Sequence, residues 1–236
     1  MITGTLYLIP VPISEEDYSH QVYPALSTTI NLLTEFIVED VKTARRSLRK
    51  MGYNADFDKT IFHLLNNHTD LKTIGDYLSS CIKGGNVGLM SEAGMPCIAD
   101  PGSEIVRRAH ASNIRVVPLF GPSSIFLALA ASGLNGQNFC FHGYLPKAQN
   151  NRKGKLRELE KVILQTGQTQ VFIETPYRNN HLIEDVISTN SASILFCIAS
   201  EVASASEYIM TKRIDEWRRN KNLDFNKKPA VFLMGK

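Results

Sequence analysis

Residues Val87–Gly102, VGLMSEAGMPCIADPG, decide how this chain is read. Val87, Leu89 and Met90 form a short apolar run closed upstream by Gly84-Gly85, which predicts a buried strand. The strand passes into Ser91-Glu92-Ala93-Gly94-Met95-Pro96. Asp100-Pro101-Gly102-Ser103 then predicts a helix start, with Asp100 as N-cap and Pro101 in the first turn. A strand that runs through a glycine-bearing loop into a helix leaves backbone amides free at its carboxyl end. Ligands sit there in open α/β sheets.

The flanks repeat this pattern. Thr5–Ile9 reads as a strand stopped by Pro10 and Pro12, followed by a polar loop or helix start at 14–17 and a partly helical run to Leu33. Thr34–Val38 is a second strand. The helix after it carries Val41, Ala44, Leu48 and Met51 on one face and ends at Gly52. Lys59–Leu64 is a third strand, and the next helix, capped by Thr69 or Asp70, places Leu71, Ile74, Leu78 and Cys81 on one stripe. Ile114–Phe120 closes the series. Alternating strands and helices predict an open, mainly parallel sheet covered on both faces. Gly121-Pro122-Ser123-Ser124 then opens a helix apolar nearly all round, IFLALAASGL, which predicts deep burial.

After this helix the pattern changes. Phe139–Leu145 is a strand, 150–155 a polar basic segment, and a helix follows from Leu156. Strands at 168–173, 193–199, 207–211 and 230–234 surround a turn at Glu174-Thr175-Pro176-Tyr177-Arg178, a helix HLIEDVI and a charged insertion. Consecutive late strands predict a mixed sheet with antiparallel pairs. The expected organisation is an α/β domain over 1–120 and a second, mixed-sheet α/β domain over 121–236.

The 236 residues, 43% hydrophobic, support a core without a disulfide or metal staple. The net charge of +3 is too small to announce a nucleic-acid binder. Cys81, Cys97, Cys140 and Cys197 have no CxxC spacing and read as thiols of a reducing compartment. With no charged n-region and no run of 18 apolar residues, a cytoplasmic protein without a membrane span is expected. Pro10 and Pro12 occupy the turn where a GxGxxG fingerprint would lie, and GxxxxGK[ST], HExxH and GxSxG are absent. His63 and His68 read as surface or internally satisfied, and no metal is expected. Three Gly-, Pro- and Ser-bearing turns remain, at 91–96, 121–124 and 174–178. They suit a nucleoside-like cofactor held by main-chain groups between apolar walls.

The segments GLMSEAGMPCIADPG, IRVVPLFGPSSIFLALAASGL, FHGYLPK and FIETPYR, in this order, resemble the ribosomal RNA small subunit methyltransferase I family. That family belongs to the tetrapyrrole-methylase superfamily (class III S-adenosylmethionine-dependent methyltransferases). Its members read close to SDAGTPxISDPG, VVPLPGPSA, FxGFLP and YESPHR. The resemblance runs from Thr5 to Lys236. It implies two α/β domains with the methyl donor in the cleft between them, usually a homodimer, and 2′-O-methylation of a cytidine ribose in small-subunit ribosomal RNA. It places Pro10, Ser91, Glu92, Ala93, Gly94, Met95, Ser123, Ser124, Ile125, Glu174, Thr175, Pro229 and Ala230 beside S-adenosylmethionine. Glu92 stands where the family has Asp, Met95 where it has Thr, and Tyr177 where it has His.

A ribose hydroxyl is a weak acid, so a base should assist its methylation. Glu39 and Asp40, at a strand's carboxyl end, are the candidates; the alternative is that one of them only caps the following helix. Arg45, Lys147, Arg152, Lys153 and Arg178 are the candidate RNA contacts, against the alternative of a solvated charged face. Two other classes stay open: a small-molecule, tetrapyrrole-type methyltransferase, and a non-catalytic binding module on the same fold.

Overall fold

The computed structural model describes residues 3–14, 21–66, 69, 73–220 and 223–236, which form two compact units, Met1–Ser123 and Ser124–Lys236. The first unit runs β1 (Thr5–Ile9), α1 (Pro24–Ile30), β2 (Glu35–Val38), α2 (Val41–Lys50), β3 (Ile61–Leu64), α3 (Ser79–Ile82), β4 (Val87–Met90), α4 (Ser103–Ala111) and β5 (Arg115–Pro118). Its five strands are all parallel, in the order β3-β2-β4-β1-β5. β4 lies at the centre and every residue in it is buried, as its unbroken apolar run requires.

The two faces carry separate apolar clusters. Leu26 and Ile30 of α1 and Ala44 and Leu48 of α2 pack on one face. Ile74, Leu78, Cys81, and Ile105 and Ala109 of α4 pack on the other. The chain therefore leaves β2 and β1 toward one face and leaves β4, which lies between them, toward the opposite face. A change of side between adjacent parallel strands opens a crevice at their carboxyl ends.

Two local expectations are corrected. The helix expected after residue 69 is a 3-10 helix, Thr73–Leu78, running into the short α3. Gly75 and Asp76, both poor helix formers, lie in that stretch. Asp70 and Leu71 fall outside the described residues, as do Glu15–Asp17 and His68. Secondly, α4 is capped by Gly102 rather than Asp100 and begins after Pro101. Gly102 holds φ +133, and a Cβ there would meet the Cys97 sulfur at 2.8 Å and a Leu89 methyl at 2.9 Å. His63 is internally satisfied, as expected: its Nε2 lies 2.7 Å from Glu35 Oε1.

The second unit runs α5 (Ser124–Ser132), β6 (Phe139–Tyr144), α6 (Gln149–Thr166), β7 (Thr169–Ile173), α7 (Asn179–Thr189), β8 (Leu195–Ser200), β9 (Tyr208–Arg213), α8 (Ile214–Arg219) and β10 (Ala230–Gly235). The sheet order is β6-β7-β10-β8-β9, with β6-β7 parallel and the other pairs antiparallel. This is the expected mixed sheet. Phe172, Phe196 and Phe232 stack across neighbouring strands in the core. Buried Trp217 of α8 donates its indole N–H to the Phe196 carbonyl at 2.8 Å. The basic segment 150–155 is not a separate loop; it forms the first turns of α6. The apolar α5 is not buried all round: Ile125, Ala128 and Leu129 face inward, whereas Phe126 is 52% and Leu127 42% exposed.

Candidate functional site

The parallel sheet brings the loops after β1, β4 and β5 to one edge, and they interlock there. The Val11 and Gly94 backbones exchange two hydrogen bonds, of 2.8 and 2.7 Å. The buried Ser91 hydroxyl donates to the carbonyls of Ala93 and Gly94, at 3.2 and 3.3 Å. Gly121 packs on Pro10. The loop after β4 is thereby fixed at its base, while Glu92 and Ala93 at its crown stay exposed. Pro10, Ser91, Glu92, Ala93, Gly94 and Met95 are brought together at this edge, with Pro10, Ser91 and Gly94 buried beneath exposed Glu92 and Ala93.

The two carboxylates at the end of β2 separate in role. Asp40 caps α2, accepting from the Thr43 amide at 2.7 Å, and this hydrogen bond holds its carboxyl below the usual range. Glu39 does no capping. Its Oε1 is buried without a hydrogen-bond partner among the described residues. Burial, with the charges of Asp100 and Glu92 behind it, pushes its carboxyl up to about 7. Burial and the Glu92 charge likewise push Asp100, released from the capping role, up to about 6. Sequence reasoning missed Asp100 because its DPG context reads as an ordinary helix start.

In the second unit, Glu174 follows β7 and is buried. Its Oε1 accepts from the Thr175 amide at 2.6 Å and from Arg178 Nε at 3.1 Å, while its Oε2 is buried without a partner. Thr175 therefore offers no free amide. The Pro229 carbonyl is also engaged, by the Glu201 amide at 2.8 Å and the Ser200 hydroxyl at 3.3 Å. Ile125 turns its side chain into the core, and Ser123 and Ser124 lie partly exposed where α5 begins.

The candidate RNA contacts divide. Arg152 is 5% exposed and its guanidinium is paired with Asp185, itself 1% exposed, at 2.8 and 2.5 Å. It also donates to the Lys147 carbonyl at 2.8 Å. Arg152 is therefore a buried structural cation and is withdrawn from the RNA-contacting set. Arg45 is half-buried, its guanidinium 5.3 and 5.4 Å from the ring centres of Phe57 and Phe62. Lys153 lies 3.4 Å from Asp185 and Arg178 is held by Glu174. Lys147 is exposed and its ammonium makes no ion pair among the described residues.

The chain is thus a parallel α/β unit with interlocked loops at its strand ends, followed by a mixed-sheet unit. The model described as Tetrapyrrole (Corrin/Porphyrin) Methylases matches residues 6–216, and the chain belongs to this family of methyltransferases. Among its relatives, Ribosomal RNA small subunit methyltransferase I of Buchnera aphidicola subsp. Schizaphis graminum is 30% identical, over 98% of this chain and 78% of that protein. The protein of the same name from Escherichia coli O157:H7 is also 30% identical, over 87% of this chain and 68% of its own length. The crystal structure of the methyltransferase CobJ shares the fold, with a TM-score of 0.63 and 16% identity over 100% of this chain and 95% of that one.

Proposed function

We infer that this methyltransferase takes its methyl group from S-adenosylmethionine and delivers it to the 2′-hydroxyl of a cytidine ribose in small-subunit ribosomal RNA. The observation that carries the reading is the interlocked loop at Ser91–Met95, on the carboxyl edge of the parallel sheet of a chain 30% identical to proteins named for that RNA. The reading includes a cytoplasmic homodimer. No helix among the described residues is long and apolar enough to cross a membrane, and all four cysteines are free thiols.

The loops of the first unit and the open Glu174 acceptor suit such a donor, whereas the Thr175 amide, the Pro229 carbonyl and the Ile125 side chain are already engaged. In the first unit Pro10, Ser91, Glu92, Ala93, Gly94, Met95 and Ser123 would hold it, chiefly through backbone. In the second unit Ser124, Ile125, Glu174, Thr175, Pro229 and Ala230 are assigned to it, and the open acceptor Glu174 Oε2 suits an N–H or O–H of the ligand. When bound, S-adenosylmethionine supplies a methyl group already activated on a sulfonium. The protein's part is to align the acceptor and exclude water. Glu39 would receive the proton of the acceptor hydroxyl on its unpartnered Oε1, and a carboxyl near 7 is matched to that task. Asp40, fixed as a cap, would not.

The test is incubation of the protein and labelled donor with unmodified small-subunit RNA and with assembled subunits, followed by mapping of the labelled nucleotide. Labelling at a ribose oxygen of one cytidine is expected. Labelling of a porphyrinoid and not of RNA would overturn the RNA assignment.

A further inference from the structure

Of the second-unit cations assigned from sequence, only Lys147 is without an ion pair among the described residues, and it follows a strand edge that carries an exposed aromatic ring. Tyr144 ends β6 and pairs with Ile173, the last residue of β7. Between Phe141 and Tyr144 the register slips by one residue, and Gly143 takes φ +64. Such a bulge re-aims the side chain that follows it. It sets Tyr144 opposite Ile173, and the Tyr144 ring is left 57% exposed. Four residues beyond Ile173, Tyr177 is 72% exposed. Neither ring has a stacking partner among the described residues, although much of the other aromatic surface is paired.

Both rings stand on fixed backbone. The turn that carries Tyr177 is tied by the Arg178–Glu174 pair, by the Lys227 amide donating to the Pro176 carbonyl at 3.0 Å, and by the Asn179 amide group donating to the carbonyls of Phe225 and Lys228. The stretch after Tyr144 is tied through buried Arg152, which donates to the Lys147 carbonyl at 2.8 Å. Lys147 follows Tyr144 by three residues and the Lys227 backbone ties to Pro176 beside Tyr177; both lysines are exposed and neither is in an ion pair among the described residues. Lys227 is held in the left-handed region at φ +63. Exposed rings on anchored backbone, with exposed cations on the same segments, are what an unpaired strand needs: stacking faces for its bases and positive charge for its phosphates.

We propose that Tyr144 and Tyr177, with Lys147 and Lys227, form a stacking platform that grips single-stranded RNA. This rests on the RNA reading of the function. The side chain that departs from the family's histidine, Tyr177, then supplies a larger stacking face.

The experiment uses the full chain and a fluorescent single-stranded oligoribonucleotide of small-subunit sequence, with affinity measured across a salt series. Tyr177→Ala and Tyr144→Ala should each weaken binding about tenfold, in the range that losing one stacked base gives, while Tyr177→Phe keeps wild-type affinity. Lys227→Ala should lower the magnitude of the log–log salt slope by about 0.7. Because both rings are exposed, the variants should melt with the wild type, and donor affinity by calorimetry should not move. Unchanged RNA affinity in Tyr177→Ala would overturn the platform. So would equal affinity for a duplex of the same sequence, or a loss of donor affinity with RNA affinity intact. A wild-type protein that binds the donor but neither binds nor methylates RNA would bring down the functional reading itself, a distinguishable result.

Discussion

Gly121 lies against Pro10 so closely that a Cβ on it would fall 2.2 Å from both Cβ and Cγ of the proline ring. A proline ring cannot swing aside as a flexible side chain can, so any larger residue must push the loops after β1 and β5 apart. The Gly121→Ala variant should lose about 1–3 kcal/mol, as overpacked sites do. Thermal melting reads this directly. Donor binding should fall with it, because Pro10 and its neighbour Val11 tie to the loop after β4 through Gly94. Wild-type stability in Gly121→Ala would show that the contact yields without strain.

The Glu39 carboxyl is raised from 4.5 to about 7. The folded protein therefore holds this proton more tightly than the unfolded chain. Stability from the protonated form is fully present below 4.5 and is lost as pH rises through about 7. Glu39→Gln carries a neutral amide at every pH. Relative to wild type it should gain stability from pH 4.5 to 7 and keep a constant advantage above that. Melting temperatures from pH 4 to 9 give the difference curve, and a flat difference would remove Glu39 as the titrating group. Activity should move the opposite way, since the variant has no carboxylate to accept a proton. Its methylation rate should fall about 100-fold or more above pH 7.

Arg152 and Asp185 form a buried pair between α6 and α7. Removing one partner strands the other charge in the core, so Arg152→Ala and Asp185→Ala should each cost about 3–5 kcal/mol. Replacing both with apolar residues of similar volume, as in Arg152→Met with Asp185→Leu, should cost much less than the two single losses combined. A double-mutant cycle by denaturant unfolding measures this. Two small, additive single effects would show that the pair is solvated.

How much of this was legible beforehand follows from how local each signal is. β4 and its loop could be read because an apolar run, a glycine-bearing turn and a helix start lie within one stretch. The parallel character of the first sheet, though not its strand order, followed from alternation alone. The first turns of α6 could not be read, since NNRKGK is polar and carries Gly154; its helicity comes from Arg152 reaching buried Asp185 on another helix. The shared charge of Glu39, Glu92 and Asp100 was hidden for a similar reason. Strand pairing of β2 with β4 creates it, and no local pattern encodes that pairing. Tyr177 was visible only as a departure from the family's motif, and its exposure emerged only once the turn was folded.

Glu174 offers the sharpest test of the donor assignment. Its Oε1 is fully used by the Thr175 amide and Arg178, so the fold already has what it needs from one oxygen. The other oxygen is buried with nothing to accept. A buried acceptor left open is costly, and a donor group on a ligand would relieve it. In Glu174→Gln the amide oxygen can still serve Arg178, which leaves an NH2 group where the open oxygen was. That group donates and cannot accept. The variant should fold, with a modest loss from the weakened Arg178 pair. Affinity for S-adenosylmethionine, measured by calorimetry, should drop about 10- to 100-fold, the scale of a lost hydrogen bond to a charged group. If donor affinity stayed at the wild-type value while the melting temperature fell, Glu174 would be a brace for Arg178 and no part of the donor site.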